Sequence, residues 1–257
     1  MILIDTHTHL YLKEFSEDIE EVIQRAEKES VHKFFLPAID SSEIPAMMQL
    51  EKQFPGKCMA MAGLHPCSVK ENFKEELDKI EKNLTQRKFS GIGESGLDFY
   101  WDKTFIKLQH ESLHVHAGWA LQYDIPLVLH TRDAMEQTID VVRSYSDKGL
   151  RGIFHCFGGS LENANEIIKL NFFLGIGGIV TYKNSGLTEI IKEVDLEHIV
   201  LETDSPYLTP VPFRGKRNES SYLKYIALKI AEIKNVSIEE VAERTTRNAE
   251  NIFFELK

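Results

Sequence analysis

The stretch MILIDTHTHLYLKEF, residues 1–15, sets the terms for the whole chain: an apolar run stops at Asp5 and then delivers His7 and His9 with one residue between them. On an extended strand, positions two apart face the same side, so both imidazoles would be offered to one ion. The same fragment can also be read as two surface histidines after a leader strand. The choice depends on whether other strands end in the same way.

Working outward, strand-like runs recur at MILID (1–5), HKFFLPAI (32–39), CMAMAGLHP (58–66), FSGIGESGLD (89–98), PLVLHTRDA (126–134), RGIFHCFGGS (151–160), FFLGIGGIV (172–180) and HIVLETDSP (198–206). They are spaced by roughly 20 to 35 residues. Between them lie polar stretches with helical spacing, such as SEDIEEVIQRAEKES, KEELDKIEKNLTQ and AMEQTIDVVRSYS. Alternating strands and helices imply an α/β fold with a parallel sheet. Eight such units in one chain of 257 residues fit a closed (β/α)8 barrel of the TIM type better than an open doubly wound sheet. No composition shift, repeat or Gly/Ser-rich linker divides the chain, so residues 1–257 read as a single catalytic barrel domain.

The carboxyl ends of these runs carry Asp5, His7, His9, His65, Glu94, His130, His155 and Asp204. In a barrel, all such ends open on one face. A buried histidine or carboxylate is costly unless something compensates it. Any one of these residues has an ordinary structural explanation, such as a hydrogen-bonded histidine at a strand end; an ordered series at six strand ends points to divalent cations. His7, His9, His130, His155, Glu94 and Asp204 exceed what one tetrahedral site needs, which makes two metals the natural reading. Imidazole with carboxylate suits zinc, manganese or iron, whereas magnesium normally takes more oxygen, so the ion's identity among magnesium, manganese and zinc stays open. Two close ions that share a water supply hydroxide at neutral pH, and hydrolysis follows as the reaction class.

Composition narrows the alternatives. A net charge of −10 argues against a broad electropositive surface that coats duplex DNA. No run approaches the roughly 18 apolar residues of a membrane span, and no secretory leader is evident, so the expected compartment is the cytoplasm, with no membrane and no obligate protein partner. Cys58, Cys67 and Cys156 are scattered, without CxxC spacing, and read as small buried thiols.

The segments DTHTHL, GLHP, GIGESGLDFYWD, LVLHTRDA, GIFHCFGGS, GIGGIVTYKN, ETDSPYLTPVPFRGKRNE and RNAENIFF together resemble, in order, the signature segments of TatD-type metal-dependent deoxyribonucleases. The resemblance covers essentially the whole chain and implies an amidohydrolase-like barrel. It further implies that His7, His9 and Asp204 bind one metal, His130 and His155 a second, and Glu94 bridges them, in place of the carbamylated lysine of many amidohydrolases. Asp204 is then the candidate general base, and His65 faces the substrate. The implied activity is 3′–5′ exonucleolytic cleavage of single-stranded or frayed DNA, met at a strand end. Phosphate contacts are expected from Arg132, Lys183, Arg214, Lys216 and Arg217, just beyond the strand ends, although PFRGKRNES can also be read as a solvated loop with counter-charges. Ser220 stands where members of the family often carry proline, which leaves the turn after Arg217-Asn218-Glu219 open.

Rival readings remain. The same type of site also serves hydrolysis of small esters, amides or phosphoesters, because fold does not choose the substrate. A non-catalytic binding module would be expected to have lost some of the six ligands. HESLH, residues 110–114, satisfies the HExxH pattern of zinc proteases. At about 100° per residue, however, Phe105, Leu108, Ser112, Val115 and Trp119 share one stripe, which turns His110 and His114 toward solvent.

Overall fold

A computed structural model of the chain describes residues 1–254. All eight apolar runs contain strands: β1 (Leu3–Asp5), β2 (Val31–Pro37), β3 (Cys58–Met61), β4 (Ile92–Asp98), β5 (Leu127–Arg132), β6 (Gly152–Phe154), β7 (Phe172–Ile176) and β8 (Ile199–Leu201). Helices alternate with them: α1 (Ile19–Lys28), α2 (Ile44–Gln53), α3 (Phe73–Gln86), α4 (Ile106–Tyr123), α5 (Met135–Arg143), α6 (Leu161–Lys169), α7 (Leu187–Glu193), α8 (Leu223–Lys234) and α9 (Ile238–Phe254).

The strands form two parallel ladders, β1-β2-β3 and β4 to β8 in order. Backbone hydrogen bonds close both seams. At one, Ala62 N–H donates to Gly91 O (3.1 Å) and Gly93 N–H to Ala62 O (2.9 Å). At the other, Thr6 N–H donates to Leu201 O (3.0 Å) and Asp204 N–H to His7 O (2.9 Å). The result is the (β/α)8 barrel that the alternation implies, with its strand carboxyl ends on one face.

Period-two alternation along the strands divides the core. Ile4, Phe35, Met61, Val128, Ile153 and Val200 fill the barrel interior, joined by Ala249 and Ile252 of α9. Their neighbours Leu3, Phe34, Leu36, Leu127 and Leu129 pack outward against the helices. Burying each such side chain contributes roughly 1.5–3 kcal/mol. Phe253 of α9 stacks on Phe35 with ring centroids 3.6 Å apart, and Asn248 Nδ2 donates to Leu196 O and Ile199 O at 2.7 and 2.8 Å. The carboxyl-terminal helix is thereby fastened to the interior and to the start of β8. Among the described residues, no helix is long and apolar enough to cross a membrane.

The face of α4 matches the expected stripe only in part. Ser112 and Trp119 are buried and Phe105 and Leu108 half-buried, but Val115 is 37 % exposed, and the buried line also takes in Gln109, Leu113, His116, Ala117 and Ala120. Two polar residues on it are buried because they are bonded. Gln109 Oε1 accepts from Asp98 N–H (2.9 Å) while its Nε2 donates to Asp98 O (3.2 Å). His116 Nδ1–H donates to Ser112 O (2.7 Å) and its Nε2 accepts from Leu64 N–H (2.9 Å), next to His65. His114 is exposed beside the Tyr145 hydroxyl, and His110 is half-buried. Neither joins a group of metal-capable side chains among the described residues.

Burial lowers His116 to about 4. The unfolded chain therefore takes up a proton below about pH 6.5 that the native state refuses, and stability falls as pH drops toward 4. We expect the stability advantage of wild type over His116→Gln, measured by urea unfolding, to shrink by about 2 kcal/mol between about pH 7.5 and pH 5. A pH-independent gap would contradict a neutral buried imidazole.

Candidate metal centre

Glu94 lies within β4, whose Gly96, at φ +147°, lets β4 approach β5 so closely that a Cβ there would sit 2.0 Å from His130 O. The two oxygens of Glu94 face different imidazoles. Oε2 is 3.1 Å from His7 Nε2 and 3.6 Å from His9 Nε2. Oε1 is 2.8 Å from His130 Nδ1, 3.4 Å from His65 Nε2 and 3.7 Å from His155 Nε2. Asp204 Oδ1 completes the ring at 3.5 Å from His9 Nε2, 3.8 Å from His7 Nε2 and 3.9 Å from His155 Nε2. His7 and His155 stack with centroids 3.5 Å apart.

Donor atoms converge in the trios His7–His9–Glu94, His65–Glu94–His130 and His7–His155–Asp204. The six residues read from strand ends as ligands therefore meet in one place. His65, read as a substrate contact, stands among the donors on the Oε1 side.

Buried carboxylates and imidazoles oppose one another here. Burial pushes Glu94 up, but His65, His7 and His155 outweigh it and hold the carboxyl well below its usual range. Burial alone would strip protons from the imidazoles and prevails at His7. At His155 the burial effect is overcome by Glu202, Glu94 and Asp204, which lift it to about 10; at His130 it is overcome by Asp98 and Glu94. Carboxylates that keep protons on imidazoles mark a place short of positive charge. Divalent cations supply that charge and take the freed lone pairs, so the donor set fits them.

A further layer orients these rings. His9 Nδ1–H donates to the Tyr11 hydroxyl (3.0 Å), which donates to Pro37 O (2.6 Å), leaving Nε2 as the free donor atom. Asp98 Oδ2 is 3.0 Å from His130 Nε2. Glu202 Oε1 is 2.8 Å from His155 Nδ1 and accepts from Cys156 N–H at 2.6 Å. Gly175 makes room for it, since a Cβ there would meet Glu202 Oε2 at 2.3 Å. Asp98 and Glu202 stand at strand ends and carry the same acidic signal as Glu94, so they were findable in the sequence. Tyr11, His116 and Asn218 carry no such signal.

The loop after β8 is held from below. Asp5 Oδ1 accepts from Thr203 N–H (2.9 Å), and its Oδ2 accepts from Thr203 Oγ1 and Ser220 Oγ, both at 2.6 Å. Burial pushes Asp5 up to about 7. Ser220 opens a short helical turn, so the segment stays ordered without proline. Asn218 Nδ2 donates to Thr203 O (2.8 Å) and Tyr207 O (2.5 Å), bracketing Asp204, which itself sits at φ 55°.

The basic residues separate. Arg132 lines the cleft of about 970 Å3 over the centre, together with His65, Trp101, Cys67, Cys156 and Tyr207. Arg217 does not fit the phosphate role. Its guanidinium grips Asp18 at 2.8 and 2.7 Å and lies over Phe15, so its donors are spent on tying this loop to the start of α1. Arg214 lies over the Tyr182 ring at 4.0 Å, outside the lining of the cleft. Cys58 is buried, whereas Cys67 and Cys156 are only half-buried, contrary to three buried thiols.

A closed barrel with imidazoles and carboxylates gathered at its strand ends defines a class, the barrel metal-dependent hydrolases. The family model described as TatD related DNase matches residues 4–254, and the chain belongs to that family. It is 39% identical over 253 residues to YabD of Bacillus subtilis, described as an uncharacterized metal-dependent hydrolase, covering 98% of this chain and 99% of that one. YcfH of Escherichia coli K12, described in the same words, is 30% identical over 98% of this chain and 96% of its own length. The crystal structure of YjjV, a TatD homolog from Escherichia coli K12, superposes with a TM-score of 0.93 at 27% identity, covering 99% of this chain and 98% of the other.

Because Glu202 fixes His155 from behind, Glu202→Gln should weaken divalent-ion binding about 10- to 100-fold by titration calorimetry while the fold stays intact. Unchanged affinity would remove Glu202 from that role.

Proposed function

We propose that this chain is a deoxyribonuclease that uses two divalent ions to remove nucleotides from single-stranded or frayed DNA ends in the cytoplasm. The observation that carries the reading is the division of labour in Glu94, whose Oε2 faces His7 and His9 while its Oε1 faces His65, His130 and His155. A carboxylate so placed suits a bridge between two ions. We assign His7, His9 and Asp204 to one ion and His130 and His155, with His65 on the same side, to the other. The imidazole-rich set favours zinc or manganese over magnesium.

When bound, such ions would lower the pKa of a coordinated water and offset charge on a phosphoryl oxygen. The remaining work belongs to the chain. Asp204, which the His155, His9 and His7 imidazoles keep ionised against the effect of burial, orients the attacking water and accepts its proton on a carboxylate oxygen. Arg132, exposed on the cleft wall, meets charge developing on the phosphate. Family membership supports DNA as substrate, and the net charge of −10 favours a short contact over a long duplex track.

The test is a chelated protein resupplied separately with zinc, manganese or magnesium and offered single-stranded DNA, duplex DNA, RNA and simple esters and amides. Stepwise shortening of single strands is expected. If DNA survives every ion while an ester or amide is cleaved, the substrate assignment fails. In Asp204→Asn, kcat should fall at least about 100-fold with metal content retained; full turnover with both ions bound would exclude Asp204 as the base.

A further inference from the structure

Phe99-Tyr100-Trp101-Asp102, directly after β4, contains the most exposed large apolar side chain among the described residues, Trp101, at 70 %. Tyr100 beside it is 50 % exposed, and the two rings meet edge to face at 4.8 Å. An indole left open to water is costly on a chain rich in charge, and this one lines the cleft over Glu94.

The segment is also pinned. Asp98 Oδ1 accepts from Tyr100 N–H and Trp101 N–H, both at 3.0 Å, while Asp98 Oδ2 faces His130. Phe99 N–H donates to Arg132 O (2.8 Å), Lys70 Nζ donates to Asp102 Oδ2 (2.9 Å), and Asp102 Oδ1 accepts from Thr104 N–H (2.9 Å). The Arg132 guanidinium lies over the Tyr100 ring at 4.6 Å. One buried carboxylate therefore holds both a candidate metal ligand and the backbone that carries the exposed aromatic pair, so the strap bearing the indole needs little ordering on binding.

We propose that Trp101 is a stacking platform for an unpaired base of the DNA strand whose phosphodiester lies at the Glu94 centre. This inference rests on the nuclease reading above and extends it by naming what selects single strands. Inside a duplex, both faces of each base are covered by neighbours, so only an unpaired or frayed base can lie on the indole. With Arg217 paired to Asp18, stacking supplies grip that a sparse set of cations does not.

The experiment compares wild type, Trp101→Ala and Trp101→Phe on a short oligothymidylate and on the same strand with abasic sugars at its end. Trp101→Ala should raise KM for oligothymidylate about tenfold with kcat within about twofold, and Trp101→Phe should restore most of the loss. On the abasic strand the three proteins should have equal KM. Oligothymidylate should also quench the part of the indole emission that is lost in Trp101→Phe, in which only the buried Trp119 still emits. Unchanged KM in Trp101→Ala, or an equal rise on the abasic strand, overturns the platform while leaving the nuclease intact. Should wild type cleave no DNA with any ion, the nuclease reading is the one that fails, and quenching then decides the platform separately: its presence keeps base stacking, and its absence removes it.

Discussion

Barrel and site both depend on the seam between the first and last strands, where the buried carboxylate of Asp5 reinforces the backbone hydrogen bonds from Thr6 to Leu201 and from Asp204 to His7. Asp5 receives the backbone and hydroxyl of Thr203 and the hydroxyl of Ser220, joining β1, the loop after β8 and the approach to α8. Thr8 and Ser205 hydroxyls lie 2.6 Å apart just above it. Because the closing backbone bond runs from Asp204 N–H to His7 O, and Asp5 grips Thr203 one residue before Asp204, the contacts that close the barrel also set His7 and His9 against Asp204. Closure and site geometry are thus the same constraint.

The centre is built outward from there in layers. Glu94 sits in the middle, the five imidazoles surround it, and Tyr11, Asp98 and Glu202 each fix one imidazole by a nitrogen that faces away from the centre or toward a second carboxylate. Gln109 in turn holds the backbone of Asp98, and His116 holds Leu64 ahead of His65. Such supporting contacts bear on which lone pair each histidine presents, and in metal sites generally they tune affinity through the donors they orient.

Much of this was legible in the order of residues. Apolar runs located every strand, and acidic or imidazole groups at their ends located the side chains that converge around Glu94, because a buried charge at a strand end has few inexpensive explanations. The face of α4 was less legible. A hydrophobic stripe counts apolar side chains only, so Gln109 and His116, buried because their polar atoms are bonded, shifted the helix away from Val115. Arg217 misled in a similar way: its sequence neighbours suggest a phosphate clamp, but its partner, Asp18, is about two hundred residues earlier.

The sequence by itself determined the strand count, the barrel and the six strand-end groups, since periodicity and the cost of burial act locally along the chain. Tertiary structure alone decided that Glu94 shows one oxygen to His7 and His9 and the other to His65, His130 and His155, that Arg217 is spent on Asp18, and that Asp98 ties His130 to Trp101. Each of these depends on distances between atoms remote in sequence, which only the closed barrel fixes.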